Sequence, residues 1–157
     1  MSRGESEAIT REGLMALEAE LGRLESDGRR AIAGRILAAR ELGDLKENAE
    51  YHIAKEDQAY LETKIKRMRE RLKNAVVVET DVETATLSFG RTAEVLDEAS
   101  GTVYTWTVVG ATEADLANGK LSVESPVADA LLGHPAGVAV QVDTPRGPRT
   151  YRIQRLL

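Results

Sequence analysis

Two carboxylates three residues apart, Asp44 and Glu47, stand where one long helical pattern stops and another starts. They lie in the run Gly43-Asp44-Leu45-Lys46-Glu47-Asn48-Ala49-Glu50-Tyr51-His52. Carboxylates at i and i+3 can jointly ligate a hard divalent cation such as Mg²⁺, which prefers octahedral oxygen coordination. On an exposed turn such a pair leaves most coordination positions to water, so it amounts to half a site. A half-site gains a purpose when another protein supplies the remaining acids. One ion could then activate water while another steadies the leaving oxygen of a phosphodiester. A plainer account also fits. Asp-x-x-Glu is a capping-box pattern, in which Asp44 is the N-cap of the second helix, accepting from the Glu47 amide, while Glu47 reaches back. Both carboxylates would then sit well at the positive end of the helix dipole.

The elements that position the pair read as a hairpin. From Thr10, an acceptable N-cap, to about Leu42 the pattern is helical, and Leu14, Leu17, Leu21 and Leu24 repeat with 3,4,3 spacing. Smaller residues continue the seam through Ala31, Ile32, Ile36 and Ala39. Gly43 falls where a left-handed residue ends a helix. The second arm reads Tyr51, Ala54, Gln58, Leu61, Ile65, Met68, Leu72, Ala75, alternating 3 and 4 throughout. Two seams joined by so short a connection must pack antiparallel. Arms of about thirty residues reach roughly 45 Å at 1.5 Å per residue, which puts the acidic pair on the end of a rod.

After Asn74 the period changes to that of strands. Val76-Val77-Val78 opens one, residues 84–108 alternate in the manner of hairpins, and Asn118-Gly119 marks a turn before Lys120–Val123. Ser125-Pro126 starts a short helix, and strands Val138–Val142 and Thr150–Ile153 flank Pro145-Arg146-Gly147-Pro148. The expected fold is α+β: a long antiparallel coiled-coil hairpin over 1–77, with its acidic tip at about 43–48, and an antiparallel sheet domain with one short helix over 78–157. Composition narrows function further. The 157 residues contain no cysteine and two distant histidines, which argues against thiolate metal sites and zinc. No stretch has the length or apolarity of a membrane span, and no apolar leader is seen, so a cytoplasmic location and no membrane partner are expected. Net charge is −5, unlike a protein that coats nucleic acid by itself. Charge is segregated, however: residues 64–73 hold six cations against Glu70.

The run from Ala38 to His52 closely resembles the tip of the GreA family of bacterial transcript-cleavage factors. The resemblance continues through Ala54-Lys55-Glu56-Asp57-Gln58 and Leu72-Lys73-Asn74-Ala75. It resumes at Tyr104–Gly110, at Leu121-Ser122-Val123-Glu124-Ser125-Pro126 and at Ala130-Leu131-Leu132-Gly133, covering the chain from about Thr10 to Ile153. It implies an FKBP-like C-terminal domain that docks on bacterial RNA polymerase and a coiled coil that enters the secondary channel. It also implies a tip pair, Asp44 and Glu47, that helps hold an Mg²⁺ shared with the polymerase. On that basis the protein is no enzyme by itself. The resemblance implies that it stimulates the polymerase's own cleavage of backtracked nascent RNA; no tightly bound metal is expected on the free chain, which should be a monomer.

Gly43, Lys46, Asn48 and Tyr51 belong to the matching run and are expected to support the tip. A candidate RNA-binding set for the extruded 3′ end comprises Arg29, Arg30, Arg35, Lys64, Arg67 and Arg71, through phosphate charge. The ordinary alternative for such residues is a solvated helix face with i,i+4 pairing. No aromatics interleave residues 64–73, so base-specific reading there is not expected. Two rivals share parts of this reading: a Gre-like channel-binding inhibitor, and a coiled-coil adaptor or chaperone in which the acidic pair serves only stability.

Overall fold

The computed structural model describes residues 6–44 and 48–157 and divides the chain into two units. One is Leu14–Ala75; the other joins Ser6–Gly13 to Val76–Leu157.

In the first unit, α1 (Arg11–Arg23) runs through a π-helical turn (Leu24–Gly28) into α2 (Arg29–Arg40), and α3 (Ala49–Asn74) returns beside them. Ion pairs across the arms join Glu25 to Arg69, Arg29 to Glu62 and Arg35 to Asp57. The numbers rise on one arm as they fall on the other, so the arms are antiparallel. Leu17, Leu21, Ile36 and Ala39 are buried on the outgoing arm, and Ala54, Leu61, Ile65 and Met68 on the returning one. These are seam positions read from the spacing. Ala31 is the exception, since it is exposed. A heptad running on from Leu24 would bury positions 28, 31, 35 and 38, whereas Ile36 and Ala39 are buried and Ile32 half-buried. The phase has slipped by one residue, and a π turn is the local device that absorbs one extra residue within a helix.

In the second unit, β1 (Glu7–Ile9) pairs with β2 (Ala75–Val77), a partnership the sequence pattern did not suggest. The main sheet has the order β5-β4-β3-β7-β6, from β3 (Thr92–Asp97), β4 (Val103–Val109), β5 (Lys120–Ser122), β6 (Ala139–Thr144) and β7 (Gly147–Leu156). It is mixed rather than wholly antiparallel: β4 and β5 run parallel, with Val108 opposite Leu121. The connection between them is long enough to bring the chain back to the same end, through two short 3₁₀ turns at Ala111–Glu113 and Leu116–Asn118. The short helix α4 (Pro126–Leu131) is capped by Ser125, whose hydroxyl accepts from the Ala128 amide at 3.2 Å. Val95, Trp106, Val108, Leu131, Tyr151 and Ile153 form the centre of the core.

Two polar knots hold this unit's margins. The Arg91 guanidinium, 7% exposed, donates to the Leu157 carbonyl at 3.0 Å and the Thr84 carbonyl at 2.6 Å. The Glu113 carboxylate accepts from the Thr10 amide at 3.0 Å, the Gly110 amide at 2.8 Å and the Thr10 hydroxyl. Thr10 meanwhile accepts from the Gly13 amide at 3.0 Å, so it caps α1 as its position suggested.

Candidate functional site: the connection between the helical arms

The outgoing arm ends in order. Glu41 N donates to the Leu37 carbonyl at 3.3 Å and Leu42 N to the Ala39 carbonyl at 3.2 Å. Gly43 then turns the chain at φ +121°, a conformation that a side chain would strain. The returning helix begins at Ala49, and its N-cap is Asn48, not Asp44. Asn48 Oδ1 accepts from the Tyr51 amide at 3.1 Å, and its own carbonyl takes the first helical bond from His52 N at 3.2 Å. This corrects Asp44 as the N-cap of the returning helix; the bonds between Asp44 and Glu47 in the capping-box reading lie outside the described residues. The helix starts four residues later than the acidic pattern implied, and its Tyr51 amide is taken by Asn48.

Asn48 does a second thing. Its Nδ2 donates to the Ala39 carbonyl, in the last turn of α2. One side-chain amide therefore satisfies an N–H at the start of one arm and a C=O at the end of the other. An ionised aspartate in its place could accept but not donate. Next to it, Arg40 lies over the Tyr51 ring at 5.9 Å, within cation–π range, and the Tyr51 and His52 rings meet edge to face at 5.6 Å. The small residues Ala39 and Ala54, 2% and 1% exposed, fill the seam nearest the connection. Ala39 was named from sequence only as a seam residue, and Arg40 was given no role of its own. A backbone carbonyl leaves no signal there, and Arg40 reads as one more surface cation.

Of the acidic pair, Asp44 is exposed and lies outside any helix. Glu47 and Lys46 fall outside the described residues. Carboxylate oxygens suit Mg²⁺ in kind, but two cannot complete its shell. Among the described residues no group of three or more His, Asp or Glu could hold a metal ion.

The arms sort the basic residues. Arg29 meets Glu62 through both Nε and Nη2, each at 2.9 Å, and this hydrogen bonding raises the guanidinium pKa and lowers that of the Glu62 carboxyl. Arg35 is held by Asp57 at 2.8 Å, and Arg30 stands 3.9 Å from Asp27. Arg71 is half-buried, while Lys64 and Arg67 are exposed. Lys64 and Arg67 have no carboxylate within ion-pair distance among the described residues. Among the described residues no helix is long and apolar enough to cross a membrane.

Comparison with known proteins covers both units. Residues 7–77 match the transcription elongation factor N-terminal model of GreA and GreB, and residues 82–156 match the GreA/GreB C-terminal model. Transcription elongation factor GreA of Thioalkalivibrio sulfidiphilus is 42% identical over 147 residues, covering 92% of this chain and 93% of that protein. GreA of Ruegeria pomeroyi is 42% identical over 145 residues, with the same coverage. Among solved structures, GreA factor homolog 1 of Thermus thermophilus is 27% identical, with a TM-score of 0.42 over 96% of this chain and 97% of that one.

Proposed function

This chain belongs to the GreA/GreB family of transcription elongation factors, and from that premise we propose that it stimulates RNA polymerase to cleave its own backtracked transcript. The observation that carries this reading is the cap at Asn48. With Tyr51 N satisfied by Asn48, the helix does not draw on Asp44 for its N-cap. Asp44 follows the turn at Gly43, between two arms tied together by ion pairs and by the Asn48 amide.

On this reading the arms enter the polymerase and bring Asp44 and Glu47 to acids already in its active centre. Asp44 and Glu47 would hold an Mg²⁺ shared with the polymerase, which supplies activated water and stabilises charge at the phosphodiester when bound. The chain's own work is positional. Asn48 joins the two helix ends, Gly43 makes the turn, and Arg40 on Tyr51 steadies the first turn of α3. Basic residues of α3 offer phosphate contacts to the extruded 3′ end of the RNA. The protein works as a monomer and has no hydrolytic activity alone; polymerase and nascent RNA are its partners.

The test uses purified bacterial RNA polymerase stalled in a backtracked complex with 3′-labelled RNA. Adding this protein with Mg²⁺ is expected to release short labelled fragments. Asp44→Asn and Glu47→Gln are expected to abolish release while leaving the protein folded and bound. Polymerase binding without release by the wild-type chain would replace stimulation with occlusion. Neither binding nor release would sink the proposal.

A further inference from the structure

The two sides of the hairpin differ in chemistry near its turn. The Arg35–Asp57 pair fixes which residues share a side, since each immediately precedes a seam residue, Ile36 or Gln58. One step before the seam therefore points the same way on both arms. Ala38 precedes Ala39 and Ile53 precedes Ala54, so both lie on that side, and Leu42, one turn after Ala38, joins them. The pairs Arg35–Asp57 and Arg40–Tyr51 set the register of the arms. They place Ala38 level with Ile53, and Leu42 level with the first turn of α3. Leu42 is 67% and Ile53 52% exposed, and Ala38 beside them is exposed as well. Ile53 lies five residues beyond Asn48, about 7–8 Å along the axis at 1.5 Å per residue. The opposite side, one step after the seam, carries Arg40, His52 and Lys55, with Leu37 as its large apolar residue.

An aliphatic patch beside an acidic turn has a narrow choice of complement. It offers no ring for a base to stack on and no cation for a phosphate, so nucleic acid gains little from it. The nearest charges, Arg35 and Asp57, satisfy each other at 2.8 Å. Aliphatic protein surface suits it, because covering Leu42 and Ile53 removes apolar area from water. With the turn brought to the polymerase's active centre, the protein surface next to it is the polymerase's own. We propose that Leu42 and Ile53 seat the hairpin against an aliphatic ridge of RNA polymerase and so set the rod's rotation about its long axis. Insertion alone fixes how far a rod reaches, not which way its end faces. A carboxylate at the end needs that facing, since half a revolution would turn Asp44 away from the acids it must join. One apolar and one polar side supply it. This inference rests on the function proposed above and deepens it. Leu42 and Ile53 are positioning residues, acting through Asp44 without touching metal or RNA.

The test measures cleavage in backtracked complexes across concentrations of the full chain and of Mg²⁺. Leu42→Gln with Ile53→Gln is expected to lower the rate at saturating protein roughly tenfold or more, the scale of one large aliphatic side chain left in water. The Mg²⁺ needed for half the maximal rate should rise, because the carboxylates meet the metal less often. Leu42→Met with Ile53→Val should keep the wild-type rate. Leu37→Gln, on the opposite side, should leave both the rate and the Mg²⁺ dependence unchanged. Both seat residues are exposed in the free chain, so the Gln pair should melt with wild type; a melting loss that accounts for the rate loss overturns the proposal. A p-benzoylphenylalanine replacing Ile53 should crosslink to polymerase and not to labelled RNA. A saturating rate equal to wild type in the Gln pair, even with weaker binding, overturns the seat. An equal loss with Leu37→Gln does the same, and so does a crosslink to RNA. Crosslinking to polymerase without cleavage by the wild-type chain supports the seat and refutes the stimulation reading, whereas no binding to polymerase refutes both.

Discussion

Replacing Asn48 by Ala removes a cap and a strap in one step. The cap, Oδ1 on the Tyr51 amide, contributes about 1 kcal/mol. The strap, Nδ2 on the Ala39 carbonyl, contributes about another 1 kcal/mol net. That second figure stays near the net value because Leu42 N still donates to the same carbonyl, at 3.2 Å, so no buried acceptor is orphaned. The sum is about 2 kcal/mol, which for a unit of this size corresponds to a fall in melting temperature of roughly 8–16 °C. Asn48→Asp keeps the acceptor and loses the donor, so it should fall between Ala and wild type. The paired change Asp44→Asn with Glu47→Gln should melt within about 0.5 kcal/mol of wild type. Far-UV circular dichroism follows the helical unit, and the emission of Trp106, the only tryptophan and part of the sheet core, reports that the second unit is intact. The reasoning fails if the acid-pair variant loses as much stability as Asn48→Ala. The carboxylates would then be the cap after all, and the adaptor reading would regain its ground.

Gly43→Ala places a side chain at φ +121° and should cost about 1–3 kcal/mol in the same melt. Gly34 is exposed within α2 and a methyl group there meets nothing within 4 Å, so Gly34→Ala should stabilise the helical unit by about 1 kcal/mol. The Glu62 carboxyl is held below its ordinary pKa by Arg29. Its contribution is therefore present above the unfolded carboxylate pKa and lost as pH falls through the folded one. Melts of wild type and Glu62→Gln should differ at neutral pH and converge in acid; a gap that persists below the carboxylate range would refute this. Arg91→Ala strands the Thr84 carbonyl and should destabilise the sheet unit by roughly 2–3 kcal/mol, read from the Trp106 unfolding transition.

Sequence and structure agree where the information is periodic and diverge where it is local or distant. The seam from Leu14 to Ala75 was legible because burial on a helix repeats, and nearly every position named from spacing is buried or half-buried. Ala31 misled because one extra residue at Leu24–Gly28 shifts the phase without any change in composition. The cap was misplaced because Asp44 and Asn48 are both good N-caps, and the choice between them depends on where the second helix meets the first. Asn48 wins by reaching Ala39, a residue nine positions earlier, and no pattern along the chain encodes that contact. In the sheet unit, the hairpins and Ser125-Pro126 announced themselves. The three-residue strand Glu7–Ile9 did not, since its partner Ala75–Val77 is a whole hairpin away, and the parallel pairing of β5 depends on the path of the preceding loop. The acidic pair was legible as a chemical possibility. That Asn48 and not Asp44 is the N-cap was visible only once α3 had a defined start.

The π turn at Leu24–Gly28 bears on how such a rod keeps its gauge. A π turn lodges one additional residue in a helix while adding little to its length, and the seam beyond it resumes on Ile32, Ile36 and Ala39. Residue count and physical reach on the outgoing arm are thus separate quantities. Deleting one residue inside that turn leaves an ordinary heptad and a seam still in phase, so the Ala39–Asn48 clasp stays at the same station along the returning helix. Deleting one residue elsewhere on either arm has no such reserve. The seam would be forced out of step, and the clasp with its neighbouring carboxylates would be carried to a different depth. The turn makes the outgoing arm a ruler with slack at a single mark.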